Sequence, residues 1–390
     1  MAELPTAIHV IAKLELGGAQ RIAVETARRL KGYRNVLLAG IEGPLVGEAE
    51  SLEGVTTHLI PSLRREIRPF FDLKSFLEIG RIVSRETAAG GKVVVHSHGS
   101  KAGVLARLAA RRARAGAVVH TIHGFAFHEY QPNVVRFFYV LVERFCARYC
   151  DRLVAVSRST MRKGLKEKIG TQDKYRVIYP AILEEHFVPW ASDTALKKRK
   201  ELGIEDASPV VGTVCCFKPQ KAPLDFVEMA AEVNSVVPEA RFVMVGDGVL
   251  MDAVRRRLEE KKLASVFRLV GWRDDVSQIV ATFDVFALTS LWEGLPMVHA
   301  EAMSKGKPIV ATSVDGTPEA VLDGVNGFLI PPRDSKRLAE KVVLLLRDPE
   351  LREKMGKAGR KMAFPRFSMS RLVNDVAALY GELGGFQPIK

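Results

Sequence analysis

Residues 284–313 read DVFALTS, LWEGLP, MVHAEAMSKG and KPIVATS in succession. DVFALTS is a short, nearly unbroken apolar run, the composition of a strand buried on both faces. The glycine and proline of LWEGLP break it. A helical stretch over about 296–305 follows, and Gly306 stops it. PIVATS (308–313) is then a second buried strand. Strand, helix, strand in that order is the unit of a parallel sheet with helices on both faces.

The same alternation extends outward in both directions. PVVGTV (209–214), RFVMVG (241–246), FRLVG (267–271) and GFLI (327–330) read as further strands. Helices are expected near 223–236, 249–262, 274–281 and 317–323. In the first half, apolar runs at 7–11, 34–39, 92–95, 117–121, 152–156 and 175–179 alternate with helix-like segments at 19–30, 71–88, 101–114, 133–149 and 158–169. Residues 180–208 interrupt the rhythm with Pro180, Pro189, Trp190 and the charged run Lys197–Glu201, and read as a linker with a helical piece. Residues 368–384 form a last amphipathic helix. The expectation is α/β: two doubly wound parallel-sheet (Rossmann-like) domains facing a cleft. They span 1–183 and 184–366, with 367–390 a C-terminal helix crossing back to the first domain. The 390 residues suit two domains.

Composition removes several classes. With 47% hydrophobic and 26% charged residues, disorder and a coiled coil are excluded. No apolar run reaches the roughly 18 residues of a membrane-spanning helix. The first residues lack a basic start followed by an apolar block, so no secretory leader is expected. Four cysteines in so long a chain do not make a disulfide framework, and a reducing cytoplasm is the default. The net charge of +13 is uneven. Residues 1–190 hold 29 Lys/Arg against 18 Asp/Glu, and residues 191–390 hold 29 against 27. A basic half can meet nucleic acid, a phosphorylated ligand or an anionic membrane. Arg107, Arg111, Arg112 and Arg114 share one helix, Arg162, Lys163, Lys166 and Lys168 another, and Arg64, Arg65 and Arg68 a loop. A solvated face is the plain reading of these groups. No aromatic interleaving or RNA-binding signature accompanies them, so nucleic acid is not expected.

Ligands of doubly wound sheets lie beyond the carboxyl ends of the strands, so the residues just after each strand carry the chemistry. Glu293 and Glu301 are eight positions apart, roughly 12 Å along a helix. That places one carboxylate at the helix entrance and the other two turns inside. Gly294 and the first-turn N–H groups would favour an anion there, and the carboxylates sugar hydroxyls. Lys218 and Lys221 flank Pro219 and Gln220 after PVVGTV and suit a diphosphate. Gly17 and Gly18, between the first strand and helix, lack dinucleotide spacing, as does Gly246-Asp247-Gly248. Either is a plain turn or a close backbone approach to a ligand. His96 and His98 form an H-x-H pair, but no third ligand has a recognisable spacing, so no metal is expected. His123, followed by Gly124 and Phe125, fits a strand-end contact residue. Asp274 and Asp275 are adjacent and make no D-x-D.

Together, in their order, these segments resemble the group 1 (family 4) retaining glycosyltransferases of GT-B architecture. The resemblance rests on Ser290-Leu291-Trp292-Glu293-Gly294-Leu295-Pro296, Glu301-Ala302-Met303, Gly306-Lys307-Pro308-Ile309-Val310-Ala311-Thr312, and Glu319 with Gly324 and Gly327-Phe328-Leu329. Gly246-Asp247-Gly248, Gly271-Trp272-Arg273-Asp274-Asp275-Val276 and Lys218-Pro219-Gln220-Lys221 support it. HSHGSKAG, HTIHGF and DRLVAVS look like the branch that builds surface polysaccharides on a polyprenyl lipid. The resemblance implies transfer from a nucleotide sugar, a UDP-sugar by family frequency, to a lipid-linked polyprenyl diphosphate saccharide, without metal or other cofactor. Glu293, His123 and Lys221 become the catalytic candidates. Gly294, Leu295 and Pro296 would hold sugar and phosphate oxygens, and Glu301 the ribose. Lys218 and Lys221 would neutralise the diphosphate that Gly18 approaches, and Arg273 would line the base pocket. Many members carry an arginine where this chain has Cys216. An anionic membrane surface is the expected partner of the basic half, which puts the protein in the cytoplasm, peripheral to the inner face of the membrane. Nucleotide-sugar epimerisation on the same fold and nucleic-acid binding are the alternatives.

Overall fold

The computed structural model describes residues 4–188, 192–384 and 386; Pro189 and Trp190 of the expected linker lie outside them. The chain divides into two compact units, Met1–Ala181 with Met369–Lys390, and Ile182–Ser368. The boundaries fall two residues from those read in the sequence. Ile182 N–H donates to the Phe367 carbonyl at 2.8 Å, so the chain entering the second unit runs beside the chain leaving it.

The first unit holds seven parallel strands: β1 (Thr6–Ile11), β2 (Arg34–Ala39), β3 (Val55–Leu59), β4 (Val93–His98), β5 (Ala117–Ile122), β6 (Arg152–Ala155) and β7 (Tyr175–Val177). Their order is β3-β2-β1-β4-β5-β6-β7. Every residue of β1, β4 and β5 is buried. That is why β1, β5 and the first half of β4 read as mostly apolar runs: helices cover both faces. β3 was absent from the sequence reading. Its VTTHL is half-covered at the sheet edge, where no apolar run is required. The last helix, Met369–Glu382, belongs to this unit and brings Tyr380, fully buried, against the sheet.

The second unit holds six parallel strands: β8 (Val210–Val214), β9 (Arg241–Val245), β10 (Phe267–Leu269), β11 (Val285–Leu288), β12 (Ile309–Thr312) and β13 (Gly327–Ile330), ordered β10-β9-β8-β11-β12-β13. Helices Ser335–Arg347 and Pro349–Ala363 complete it beyond those expected. In each sheet the strand order reverses once, between β1 and β4 and between β8 and β11. At such a reversal the connections leave in opposite directions and open a crevice at the strands' carboxyl ends.

One basic group departs from the solvated-face reading. Arg107, on helix Ser100–Arg112, is wholly buried and paired with Glu143 at 2.9 Å. Removing one partner of such a buried pair typically costs about 3–5 kcal/mol.

Candidate functional site

In the second unit the site grows from the reversal between β8 and β11. β8 runs on into Cys215–Lys218 and a short 3-10 turn, Pro219–Lys221. β11 runs on into the loop Thr289–Pro296, and helix Met297–Ser304 follows. The two extensions bind each other: Leu291 N–H donates to the Gln220 carbonyl at 2.7 Å, and Gln220 Nε2 donates to the Trp292 carbonyl at 2.8 Å. This lacing brings the Lys221 ammonium onto Glu293 Oε1. Ser290 Oγ donates to the same oxygen at 2.6 Å, and Glu293 N–H donates to Asp315 Oδ2 at 2.7 Å. Glu293 is thus a nearly buried, fixed carboxylate carrying its own cation. Ser290 stood in the recognised motif without a role, and Asp315, 22 residues away, had no signal in the sequence.

The helix begins at Met297, within a residue of the start read in the sequence. Glu293 lies in the loop, four residues before Met297, so the axial spacing of two carboxylates on one helix does not apply. Glu301 is in the helix's second turn and partly buried. Pro296 precedes the helix, no side chain caps it, and its first turn holds no acid. The positive end of its dipole therefore remains uncompensated by side chains. Lys218 is held at the turn by its backbone, donating to the Cys216 carbonyl at 2.8 Å. His299, two residues into the helix, is fully buried edge-on to Phe286. Burial, and then the charge of Lys221, push it down to about 3.

Two expected donor contacts are otherwise engaged. Arg273 grips Asp275 through two bonds of 2.7 and 2.8 Å and reaches Glu201 at 2.8 Å, with Lys198 on the same two acids. Its guanidinium is committed to that network, which holds Asp275 well below the usual carboxylate range. Gly246 has φ +123°, and a Cβ there would fall 2.0 Å from the Cys215 carbonyl oxygen. Close packing of β9 on the β8 extension therefore already requires glycine.

In the first unit Gly17 caps helix Gly18–Arg29 in an extended conformation open to any residue, and a Cβ there would meet only the flexible end of Gln20. No side chain caps this helix either, and its first turn holds no acid. The histidines gather at the same end of the sheet. Register sets His9 of β1 opposite His96 of β4, and His98 opposite Thr121 of β5. His9 Nδ1 lies 3.3 Å from His98 Nε2, and His98 Nδ1 lies 3.2 Å from His123 Nε2. His96 uses both ring nitrogens on hydroxyls, Thr121 and Tyr380, each at 2.6 Å. His9 thus supplies the third imidazole that spacing alone did not reveal; its signal was a lone polar residue within the apolar run 7–11. The trio His9, His96 and His98 brings nitrogens within 4.8 Å of one another. It fits a metal poorly. His96 and His98 are stacked at 4.5 Å and 23°, so their lone pairs do not converge, and His96 has no nitrogen to spare. A hollow of about 520 Å³ in this unit, lined by Arg111, Arg148, Arg152 and Lys174, opens at the amino ends of β5 to β7, away from this chemistry.

Comparisons with known proteins bear on the family and the fold. The sequence model described as "Glycosyl transferases group 1" matches residues 195–362, and "Glycosyltransferase Family 4" matches 16–185. An Escherichia coli UDP-Gal:alpha-D-GlcNAc-diphosphoundecaprenol alpha-1,3-galactosyltransferase is 32% identical over 377 residues, 95% of each chain. The crystal structure of Anabaena Alr3699/HepE in complex with UDP-glucose superposes with a TM-score of 0.83 at 21% identity, covering 97% of this chain and 99% of that one. At that identity the likeness speaks to fold alone, the two parallel-sheet domains of GT-B architecture. Two family models over nearly the whole chain and a full-length relative carry the assignment: this chain belongs to the group 1, family 4 glycosyltransferases.

Proposed function

We propose that the protein moves a sugar, with retention, from a nucleotide-diphosphate sugar to a lipid-linked saccharide during assembly of a cell-surface polysaccharide or glycan. The observation that carries this reading is the fixed Lys221–Glu293 pair at the strand reversal, beside an uncapped helix N-terminus. Breaking the glycosidic bond puts charge on the departing diphosphate. Lys221, Lys218 and the N–H groups of helix Met297–Ser304 stabilise that charge without a metal, and preorganised donors of this kind supply the largest single term in many enzymes. Glu293 stands at the reacting carbon, Gly294–Pro296 hold sugar and phosphate oxygens, and Glu301 takes the ribose hydroxyls. Gly17, Gly18 and His123 are the first unit's donor contacts. The acceptor hydroxyl oxygen bonds to the anomeric carbon on the face the diphosphate leaves, and its proton passes to the departing phosphate oxygen. UDP is the favoured nucleotide, since the full-length relative's name specifies UDP-Gal and a diphosphoundecaprenol acceptor.

The acceptor's lipid calls for a membrane-facing surface, and we place the protein on the inner face of the cell membrane. No described helix is long and apolar enough to cross a membrane. Helix Asn133–Ala147 buries Val140, Cys146 and Ala147 and exposes Val134, Phe137, Phe138, Leu141 and Phe145 along its other side, with Val134 81% and Phe137 62% exposed. Helix Pro69–Ala88 exposes Phe70, Leu73 and Leu77, with Lys74 over the Phe70 ring at 4.6 Å. Apolar stripes with interleaved cations suit an anionic bilayer.

The test is incubation with UDP- and GDP-sugars and polyprenyl-diphosphate-sugar acceptors. Transfer with retained anomeric configuration is expected. No transfer, together with no UDP or GDP binding by calorimetry, overturns the reading. Sugar isomer formed without acceptor would mark an epimerase instead.

A further inference from the structure

We propose that His9 and His98 act as positioning residues that fix the tautomer of His123, placing its proton on Nδ1. The inference concerns the His123 of the proposed donor site, and its function rests on that reading.

Each contact in the row His9–His98–His123 joins two ring nitrogens, 3.3 and 3.2 Å apart. Such a contact forms only if one nitrogen carries a hydrogen and the other a lone pair. A neutral imidazole has one of each. The choice made at either end therefore propagates through the row. Burial holds His9 and His123 down at about 4 and His98 well below its ordinary value, so all three rings are neutral near pH 7.

The buried end decides the direction. His9 lies in the centre of β1, wholly buried, and its Nε2 has no hydrogen-bond partner among the described residues. An orphaned buried N–H is rarer in folded proteins than an under-used acceptor. The lone pair therefore sits on His9 Nε2 and the hydrogen on Nδ1, which donates to His98 Nε2. His98 then carries its hydrogen on Nδ1 and donates to His123 Nε2. His123 is left with its hydrogen on Nδ1, the nitrogen that meets no partner among the described residues. Side branches do not reverse this. His96 is saturated by Thr121 and Tyr380, and His120 turns to Ser97 on the opposite face of the sheet. Free histidine prefers the other tautomer, so the row imposes a choice that His123 would not make alone. A ring set this way presents an N–H, and it donates a hydrogen bond to a sugar oxygen rather than accepting a proton.

Histidine-selective 15N labelling of the full-length protein reads the tautomer directly, with His123→Asn used to assign the signals. His123 Nδ1 is expected in the protonated range and Nε2 in the bare range, without any donor present. The reverse pattern overturns the proposal whatever the activity. His98→Gln keeps an N–H to give, and its isostere His98→Glu, ionised, only accepts. The first is expected to keep the Nδ1–H tautomer and the second to draw the His123 proton to Nε2. With a nucleotide sugar, His98→Glu is expected to lower kcat about tenfold, the worth of one hydrogen bond, with KM little changed. Both variants showing one tautomer and equal kcat would also count against the row. The expected spectrum with no transferase activity would leave the row standing and remove the donor reading.

Discussion

Glu301 sits in the second turn of Met297–Ser304, where its backbone oxygen serves the helix and accepts from Ser304 Oγ at 2.8 Å. Alanine preserves that helix. Glu301→Ala is therefore expected to leave the melting temperature nearly unchanged and to weaken nucleotide binding about tenfold, the worth of a hydrogen bond to a charged group. Unchanged affinity by calorimetry would remove the ribose assignment. His299 makes the opposite case. Both its ring nitrogens are buried without a hydrogen-bond partner among the described residues, a cost of about 1–3 kcal/mol in a native core. His299→Leu, of similar volume, is expected to raise stability by about that amount in urea unfolding, and a fall would show that the ring meets a need packing does not reveal. At this scale the sequence was legible where chemistry is local. Glu293 and Lys221, candidates from the sequence, lie in two short segments that follow strands, and the structure pairs them; Ser290 stood beside Glu293 without an expected role. His9 became legible only through the register of β1 on β4, and Asp315 only through the fold of the loop after β12. Arg273 shows the converse: its motif was plain, but its commitment to Glu201 of a distant helix was not.

Elements were read best where burial is uniform. β1, β5 and β11 are buried throughout and mostly apolar because both faces are covered, so their limits were nearly right, whereas β4 runs three residues past its apolar run into His96, Ser97 and His98. β3 escaped because an edge strand of Thr, Thr and His carries no such pattern. Helix Asn133–Ala147 was seen as a helix, but NVVRFFYVLVERFCA is apolar on both sides, and only packing tells which side is left outward. That outward side carries a prediction. Phe137→Ser with Phe138→Ser removes large apolar area from exposed positions, so the fold is expected to persist with an unchanged far-ultraviolet spectrum. Burying a Phe is worth about 1.5–3 kcal/mol, so the pair is expected to reduce binding to vesicles containing anionic lipid at least tenfold. Equal co-sedimentation of both proteins would take this helix out of the membrane surface.

Across the whole molecule, the nine histidines are distributed unlike the other polar groups. Seven of them, His9, His96, His98, His120, His123, His128 and His299, are pushed down chiefly by burial, three of them to values of about 3 or 4. Unfolding restores each to an ordinary value near 6.5. Between those limits the unfolded chain binds protons that the folded chain refuses. Stability is then full above about 6.5 and falls as pH drops below it. Each histidine kept neutral in the fold adds up to about 1.4 kcal/mol of loss per pH unit below 6. Carboxylates contribute little between pH 7.5 and 5.5, because their ordinary values lie lower. Urea midpoints measured at 7.5, 6.5 and 5.5 are expected to fall steeply over the last interval, with uptake of more than one proton on unfolding at pH 5.5. His9→Phe fills the same space without a titrating group and is expected to make that slope shallower by one histidine's share. A midpoint flat across the window would mean that these rings are protonated in the native protein. Such a row, charged at pH 5.5, could not pass a hydrogen bond from one ring to the next there, and the tautomer assigned to His123 would then hold only above about 6.5.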